Sequence, residues 1–546
     1  MLAISKSCIL LMAFITIILT PSICFPQDII KFSGSLDLTH DFYSSSGIAP
    51  RQPDNYTKAI LRSTITLFDE VQLPFELYLA SDQNEFKQPF NQFGISPRIT
   101  KWLKLHGGYF SSDISELTFG DVRLLGGGIE LTPGDFRFSF LYGRSQKAIE
   151  TDITNNNSGA YKRNIMTAKI GYGNMDSFYT NINFVRAIDD SNSIIKDNTG
   201  TGITPVENTV ASLEFGFPVS NIIKLSSEIG VSAYSNNIFS DKLSDEINIP
   251  SFLFTPRVSS QFDGAAKIYM EIKPANDWQV NLKSQWIGPG YVTLGYAQLQ
   301  NDIFETTISP SAKLFKRKLT LKGSFGFRKN NLRNNRKSTT NKYVFSVFTA
   351  VELTQELGLD IQYNNNQVRS NHISDSIKVS NIFNFISLAP RYNFQALGGN
   401  NNIVLNYSFQ EVEDDNQSVG QNSRNKTNTV NLSHVLFFQS SLSFTSTFFY
   451  TNVKSLETIT EIINLSESVS HSFFENKLNT SVSLGYSITN SISKEKQFMG
   501  KLAATYSMEE WGAFTLNITN QNCSSSGDSI PSYREFQANI QYKIKF

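Results

Sequence analysis

The sequence predicts an all-β chain: a single transmembrane antiparallel up-and-down β-barrel of about 26 strands, 24 being the alternative count, with no plug domain. Three observations carry this expectation. Period-two alternation of apolar and polar residues recurs along the chain, short turns alternate with long polar loops, and the chain ends on an amphipathic strand. Successive strand side chains point to opposite faces, so such segments have one greasy and one wet side. Composition agrees, with 43 Phe and 21 Tyr among 546 residues and only 18% charged residues, since aromatic residues favour strands.

The first 24 residues read as a secretory leader. Lys6 is followed by an apolar run from Cys8 to Leu19 and by small residues around Ser22 and Cys24. The run is shorter than the roughly twenty residues a spanning helix needs. The expected domains are therefore a signal peptide, 1–24, and a barrel, 25–546. Removing the leader takes one Lys from 48 basic residues and nothing from 48 acidic ones. The near-neutral balance gives no electrostatic case for nucleic acid as a partner. Cys523 is then the one remaining cysteine, which excludes an intrachain disulfide.

Alternation is clear at Trp278 to Trp286, Leu319 to Arg328 and Leu478 to Thr489. It continues from about Ile30 to Phe546 with no linker or composition break, further than one soluble sandwich extends. Short turns are expected near Glu70, Lys101, Gly134, Asn174, Ser220, Ala275, Arg317, Gln355, Leu397, Ser440, Asn476 and Glu510, with a longer polar loop between each pair. Short periplasmic turns and long outer loops are the habit of outer-membrane barrels. Twelve turns with both termini in the periplasm require 26 strands. The hairpin around residues 95 to 120 is the weakest, and losing it gives 24.

At the end of the chain, "REFQANIQYKIKF", Phe536, Ala538, Ile540, Tyr542, Ile544 and Phe546 share one parity. The segment resembles the carboxy-terminal signal by which the barrel-assembly machinery recognises its clients, with Phe536, Ile540, Tyr542, Ile544 and Phe546 as the assembly signal. Residues 90 to 150 and 290 to 332 resemble large, uncharacterised outer-membrane barrels of the Bacteroidota. That resemblance implies the outer membrane of a Gram-negative bacterium as location, with its lipid and lipopolysaccharide as partners. It lends no catalytic residues.

No catalytic, cofactor or metal residues are assigned, and the chain is not expected to be an enzyme. His40, His106, His372, His434 and His471 are scattered singly. "GDSI", Gly527 to Ile530, reads as a turn-rich hairpin tip. Gly126 to Gly128 read as a bend or bulge where another backbone or a plugging element comes close. Asp189 and Asp190, and Glu413, Asp414 and Asp415, read as solvated loop charge, with calcium as the sharper alternative. The basic run Arg328 to Lys337 reads as a solvated outer tip, with lipid phosphates as its functional alternative.

The wet parity offers candidate lumen-lining residues: Gln261, Asp263, Lys267, Glu271, Gln279, Lys283, Gln285, Lys322 and Arg328. Mixed charges line water rather than lipid. A circular barrel of this size would be roughly 50 Å across, wider than its own loops readily seal. The expectation is a large channel or translocation conduit, flattened or plugged by a partner protein. The alternative is a non-conducting scaffold that anchors surface or periplasmic proteins.

Overall fold

A computed structural model describes residues 30–67, 71–81, 93–150, 159–194, 203–243, 249–296, 298–372, 378–414, 423–455, 458–526 and 531–546. The leader, the turn near Glu70, Asp415 and "GDSI" lie outside the described residues. No helix among the described residues is long and apolar enough to cross a membrane, and the chain is built from strands.

Each strand pairs antiparallel with its neighbours in chain order, and the first, Ile30–Ser46, pairs with the last, Tyr533–Lys545. The sheet is therefore closed. Two short segments, Phe93–Ile95 and Arg98–Thr100, both lie between Val71–Ala80 and Leu103–Phe110. They are halves of one strand interrupted at Ser96 and Pro97, where proline has no N–H to give the ladder. Counting them once gives 26 strands, so the hairpin around 95 to 120 is present. Of the other short turns, the ten that fall among the described residues lie where the sequence places them, each joining two adjacent strands.

The closing seam shows why the final residues matter. Ser35 to Ser46 run in unbroken register against Lys545 to Arg534. Gly34 and Phe546 exchange both backbone hydrogen bonds, at 2.7 and 3.1 Å, and the Phe546 ring stacks on Phe32 with centroids 4.9 Å apart. On the polar parity, Gln541 donates to the Asp37 carboxylate at 2.8 and 2.9 Å, and Asn539 donates to Asp41 at 2.6 Å.

Large apolar side chains are exposed on one parity around the whole sheet, among them Phe140, Ile182, Val231, Phe325, Leu405, Val482 and Ile540. An apolar surface of this extent is stable only under lipid. Exposed aromatic residues such as Trp102, Phe136, Tyr172, Trp278 and Trp511 sit beside the short turns, matching an interfacial girdle. Carboxylates also occur on this parity, Glu467 among them; it accepts a hydrogen bond from Ser446 at 2.6 Å and stands opposite Leu484 in the ladder.

The three glycines at 126 to 128 are not a bulge, because their register with both neighbouring strands is continuous. They do mark a close approach: a Cβ on Gly126 would lie 2.1 Å from the Tyr142 carbonyl oxygen, and one on Gly128 would lie 2.4 Å from Leu141.

Two predictions follow from the seam and the parity. Deleting Lys545 and Phe546 removes the stack and two backbone bonds, so the variant should lose the heat-modifiable gel migration of a closed barrel; wild-type migration would refute this role. Placing arginine toward lipid costs about 2 to 4 kcal/mol at the bilayer midplane. Val482→Arg should therefore destabilise strongly, Leu484→Arg less because Glu467 faces it, and Ser483→Arg least, in urea unfolding from lipid vesicles. Equal damage from all three would argue against the assigned faces.

Candidate functional site

The polar parity acquires its functional character from two loops that turn inward, 111–123 ("SSDISELTFGDVR") and 288–302 ("GPGYVTLGYAQLQND"), the latter described at 288–296 and 298–302. The Ile114 carbonyl accepts from Lys169 Nζ at 2.8 Å, while Glu116 meets Lys267 Nζ at 3.0 Å. The strands bearing these lysines, Lys162–Gly173 and Ser260–Ala275, are four ladder steps apart. That is about 19 Å along the wall, whereas two residues of chain span at most about 7 Å. Side chains from such separate strands converge on one short segment only on the concave side. The loops are inside the barrel.

Local chemistry explains how they stay there. In the first loop, the Ile114 and Ser115 amides both donate to the Phe119 carbonyl, at 2.9 and 3.1 Å, closing a tight turn. Ile114, Leu117 and Phe119 are buried against the walls and the second loop. Fully burying side chains of the size of Leu117 and Phe119 contributes about 1.5–3 kcal/mol each. The loops also bond to each other: Tyr291 Oη donates to the Leu117 carbonyl at 2.8 Å, Thr293 Oγ1 to the Thr118 carbonyl at 2.5 Å, and the Gly120 amide to the Gly295 carbonyl at 2.9 Å.

The second loop is clamped to the wall by one asparagine. Asn208 donates its amide to the Val292 carbonyl and accepts from the Leu294 amide, both at 2.9 Å, so its side chain acts as a backbone pairing partner. Ser232 donates to the same Val292 carbonyl at 2.6 Å. Asp263 receives the Gly290 amide at 2.7 Å. Gly230 makes room for this packing, because a Cβ there would lie 2.8 Å from the Tyr291 hydroxyl.

Beneath the loops lies a layer of buried polar side chains that satisfy one another, as groups removed from water must. Arg163 grips Asp189 with two bonds, at 2.7 and 3.1 Å; Ser212 donates to Glu228 at 2.6 Å; Asn181 donates to Glu214 at 2.9 Å. Asp189 is thus a buried partner of arginine, neither a solvated loop charge nor a calcium ligand. His106 sits in the same layer between Ser96 and Glu130, at 2.9 and 2.8 Å.

Of the residues assigned to the wet parity, Asp263 and Lys267 hold the loops. Gln279 donates to Glu271 at 3.2 Å, and Gln285 donates to Glu305 at 3.0 Å. Lys283 and Gln285 alternate with the outward Trp286 on one strand, Gln261 lies on the parity of Asp263, and Lys322 is exposed on the parity of Arg328, which bonds Gln300 of the second loop. The basic run forms an exposed hairpin tip, as expected, and two of its arginines also reach lumen-side carboxylates: Arg333 meets Asp263 at 2.7 Å and Arg336 meets Asp302 at 2.9 Å. Part of the lumen is therefore filled by the chain itself. What sequence reasoning missed is Ile114, Leu117 and Phe119, whose signal is an apolar cluster inside an otherwise polar loop.

The chain matches no family model, and no curated protein matches it. Among solved structures it is similar to OccAB4 of Acinetobacter baumannii, at 11% identity over 68% of this chain and 97% of that one, TM-score 0.31. It is also similar to the P pilus usher (PapC) translocation pore, at 9% identity over 95% and 100%, TM-score 0.35. A third likeness is to the outer membrane protein opdK of Pseudomonas aeruginosa, at 8% identity over 63% and 94%, TM-score 0.30. These likenesses concern the fold, which is outer-membrane β-barrel-like.

Glu116 makes the docking of the first loop sensitive to acid. Partial burial pushes its carboxyl up, but the charge and hydrogen bond of Lys267 more than offset this and hold it below the usual carboxylate value. A docked loop therefore binds fewer protons than a released one, and its stabilisation is present above about pH 4.3 and lost as pH falls through the lower, docked value. Amide exchange of residues 114–120, corrected for intrinsic rates, should accelerate on acidification in the wild type. In Glu116→Gln it should already be faster at neutral pH and unresponsive to acid. Identical profiles for the two proteins would remove the ion pair from the docking.

Proposed function

We propose that this chain is a large outer-membrane channel or translocation conduit, narrowed on one side by its own loops and further gated by a partner protein. The observation that carries the reading is the one-sidedness of the filling. Loops 111–123 and 288–302 pack along strands between residues 103 and 330, while lumen-parity side chains such as Gln362 and Lys501 on the remaining wall are exposed. Exposed charge on an inward face requires water beside it, and a continuous hydrated strip through a closed barrel is a route for solutes. On this reading Gln261, Asp263, Lys267, Glu271, Gln279, Lys283, Gln285, Lys322 and Arg328 line or brace that route.

The same proposal assigns residues 1–24 to a leader removed on export and the apolar parity from Phe536 to Phe546 to recognition by the assembly machinery. It places lipopolysaccharide around the outer half of the apolar face, and the chain among large barrels of the Bacteroidota kind.

Purified protein in planar bilayers should carry a steady ionic current. In a Cys523→Ser background, Gln279→Cys and Lys283→Cys should react with a hydrophilic thiol reagent in intact membranes, whereas Phe262→Cys and Val280→Cys should not. Polar-face labelling without any current would replace the conduit by a scaffold that holds other proteins.

A further inference from the structure

We propose that the cavity between loop 288–302 and the adjoining wall binds a small organic anion, a carboxylate or phosphate carried on a short apolar body. The inference deepens the conduit reading, on which it rests for access from water. The cavity has a volume of about 680 Å³, within the usual range for small-molecule sites. Loop 288–302 forms one side; the strands Leu319–Asn330 and Ser338–Glu352 form the other.

Its charge is one-signed. Arg163, Arg328, Arg336 and Lys342 line it, and no Asp or Glu does. Two of these cations are held by carboxylates outside the lining, Arg163 by Asp189 and Arg336 by Asp302. Arg328 stands opposite Glu305 in the ladder and bonds the Gln300 amide oxygen. Lys342 is exposed and has no ion pair with any described residue. An uncompensated ammonium beside a guanidinium, both at the edge of one concave recess, attracts an anion more strongly than either cation alone.

The rest of the lining gives the ligand its second property. Tyr291, Leu294, Leu299, Ile303 and Val368 supply apolar surface next to the cations. Inorganic ions gain nothing from that surface, whereas an acid with a hydrocarbon or aromatic body buries area against it. Because Arg328 and Lys342 project from neighbouring strands in direct register, they are spaced to share one carboxylate or phosphate group.

The test uses the full-length barrel in detergent, with benzoate as probe and benzamide as its neutral isostere, followed by isothermal titration calorimetry. Benzoate should bind, benzamide should bind at least about tenfold more weakly, and Arg328→Ala/Lys342→Ala should weaken benzoate by about tenfold or more. Arg328→Lys/Lys342→Arg, which keeps both charges, should restore most of the affinity, and heat-modifiable migration checks that each variant is folded. Equal affinity for the two probes, an unaffected alanine variant, a failed charge-conserving variant, or no benzoate binding at tens of millimolar would each overturn the assignment. Binding in detergent does not require conduction, so a barrel that binds benzoate but passes no current would refute the conduit and leave the anion site standing.

Discussion

A sheet in hydrocarbon cannot have an edge, because each unpaired backbone group there costs several kcal/mol. The pairing of Ile30–Ser46 with Tyr533–Lys545 removes that edge, and the rest of the molecule depends on it. Closure fixes which parity meets lipid, and so forces the opposite parity to face an enclosed space. It also explains why the last strand is so regular. A single slip would turn Phe536, Ile540 and Phe546 inward and Gln537, Asn539 and Gln541 toward lipid, breaking the bonds of Asn539 and Gln541 with Asp41 and Asp37.

An enclosed space of this width creates a second problem, which the chain addresses with polar chemistry. Strand residues such as Asn208, Ser232 and Asp263 present side-chain donors and acceptors to loop backbone that has no ladder of its own. The loops in return bring a small apolar cluster built on Ile114, Leu117 and Phe119 into an otherwise wet interior. Burial and hydrogen bonding are both required, since apolar burial of a few side chains scarcely offsets the entropy lost by ordering the loops, about 1–2 kcal/mol per residue.

Strand number, turn positions and facing were legible in the sequence because alternation and turn chemistry are local properties. Trp278, Val280 and Leu282 identify one face of their strand wherever that strand goes. The inward course of the loops was not legible. It is set by contacts between residues far apart in sequence, such as Tyr291 with Leu117 and Lys267 with Glu116, and no local period encodes them. The ion pairs of the basic run Arg328 to Lys337 were not legible for the same reason: its carboxylate partners, Asp263 and Asp302, lie on other segments. The glycines at 126 to 128 were half legible, since their close approach to the neighbouring strand follows from residue type and their unbroken register does not.

The docked loops also give the barrel unequal stiffness. Where they pack, the wall is two layers thick and close-packed, and such material has low compressibility and transmits strain. From residue 338 to residue 545 it is a single ladder of long strands with no second layer among the described residues. A thin panel bends more easily than a thick one under the same lateral pressure from the bilayer. Changes in cross-section therefore concentrate in the single-layered panel, while the braced side keeps its curvature and serves as the frame against which the other flexes.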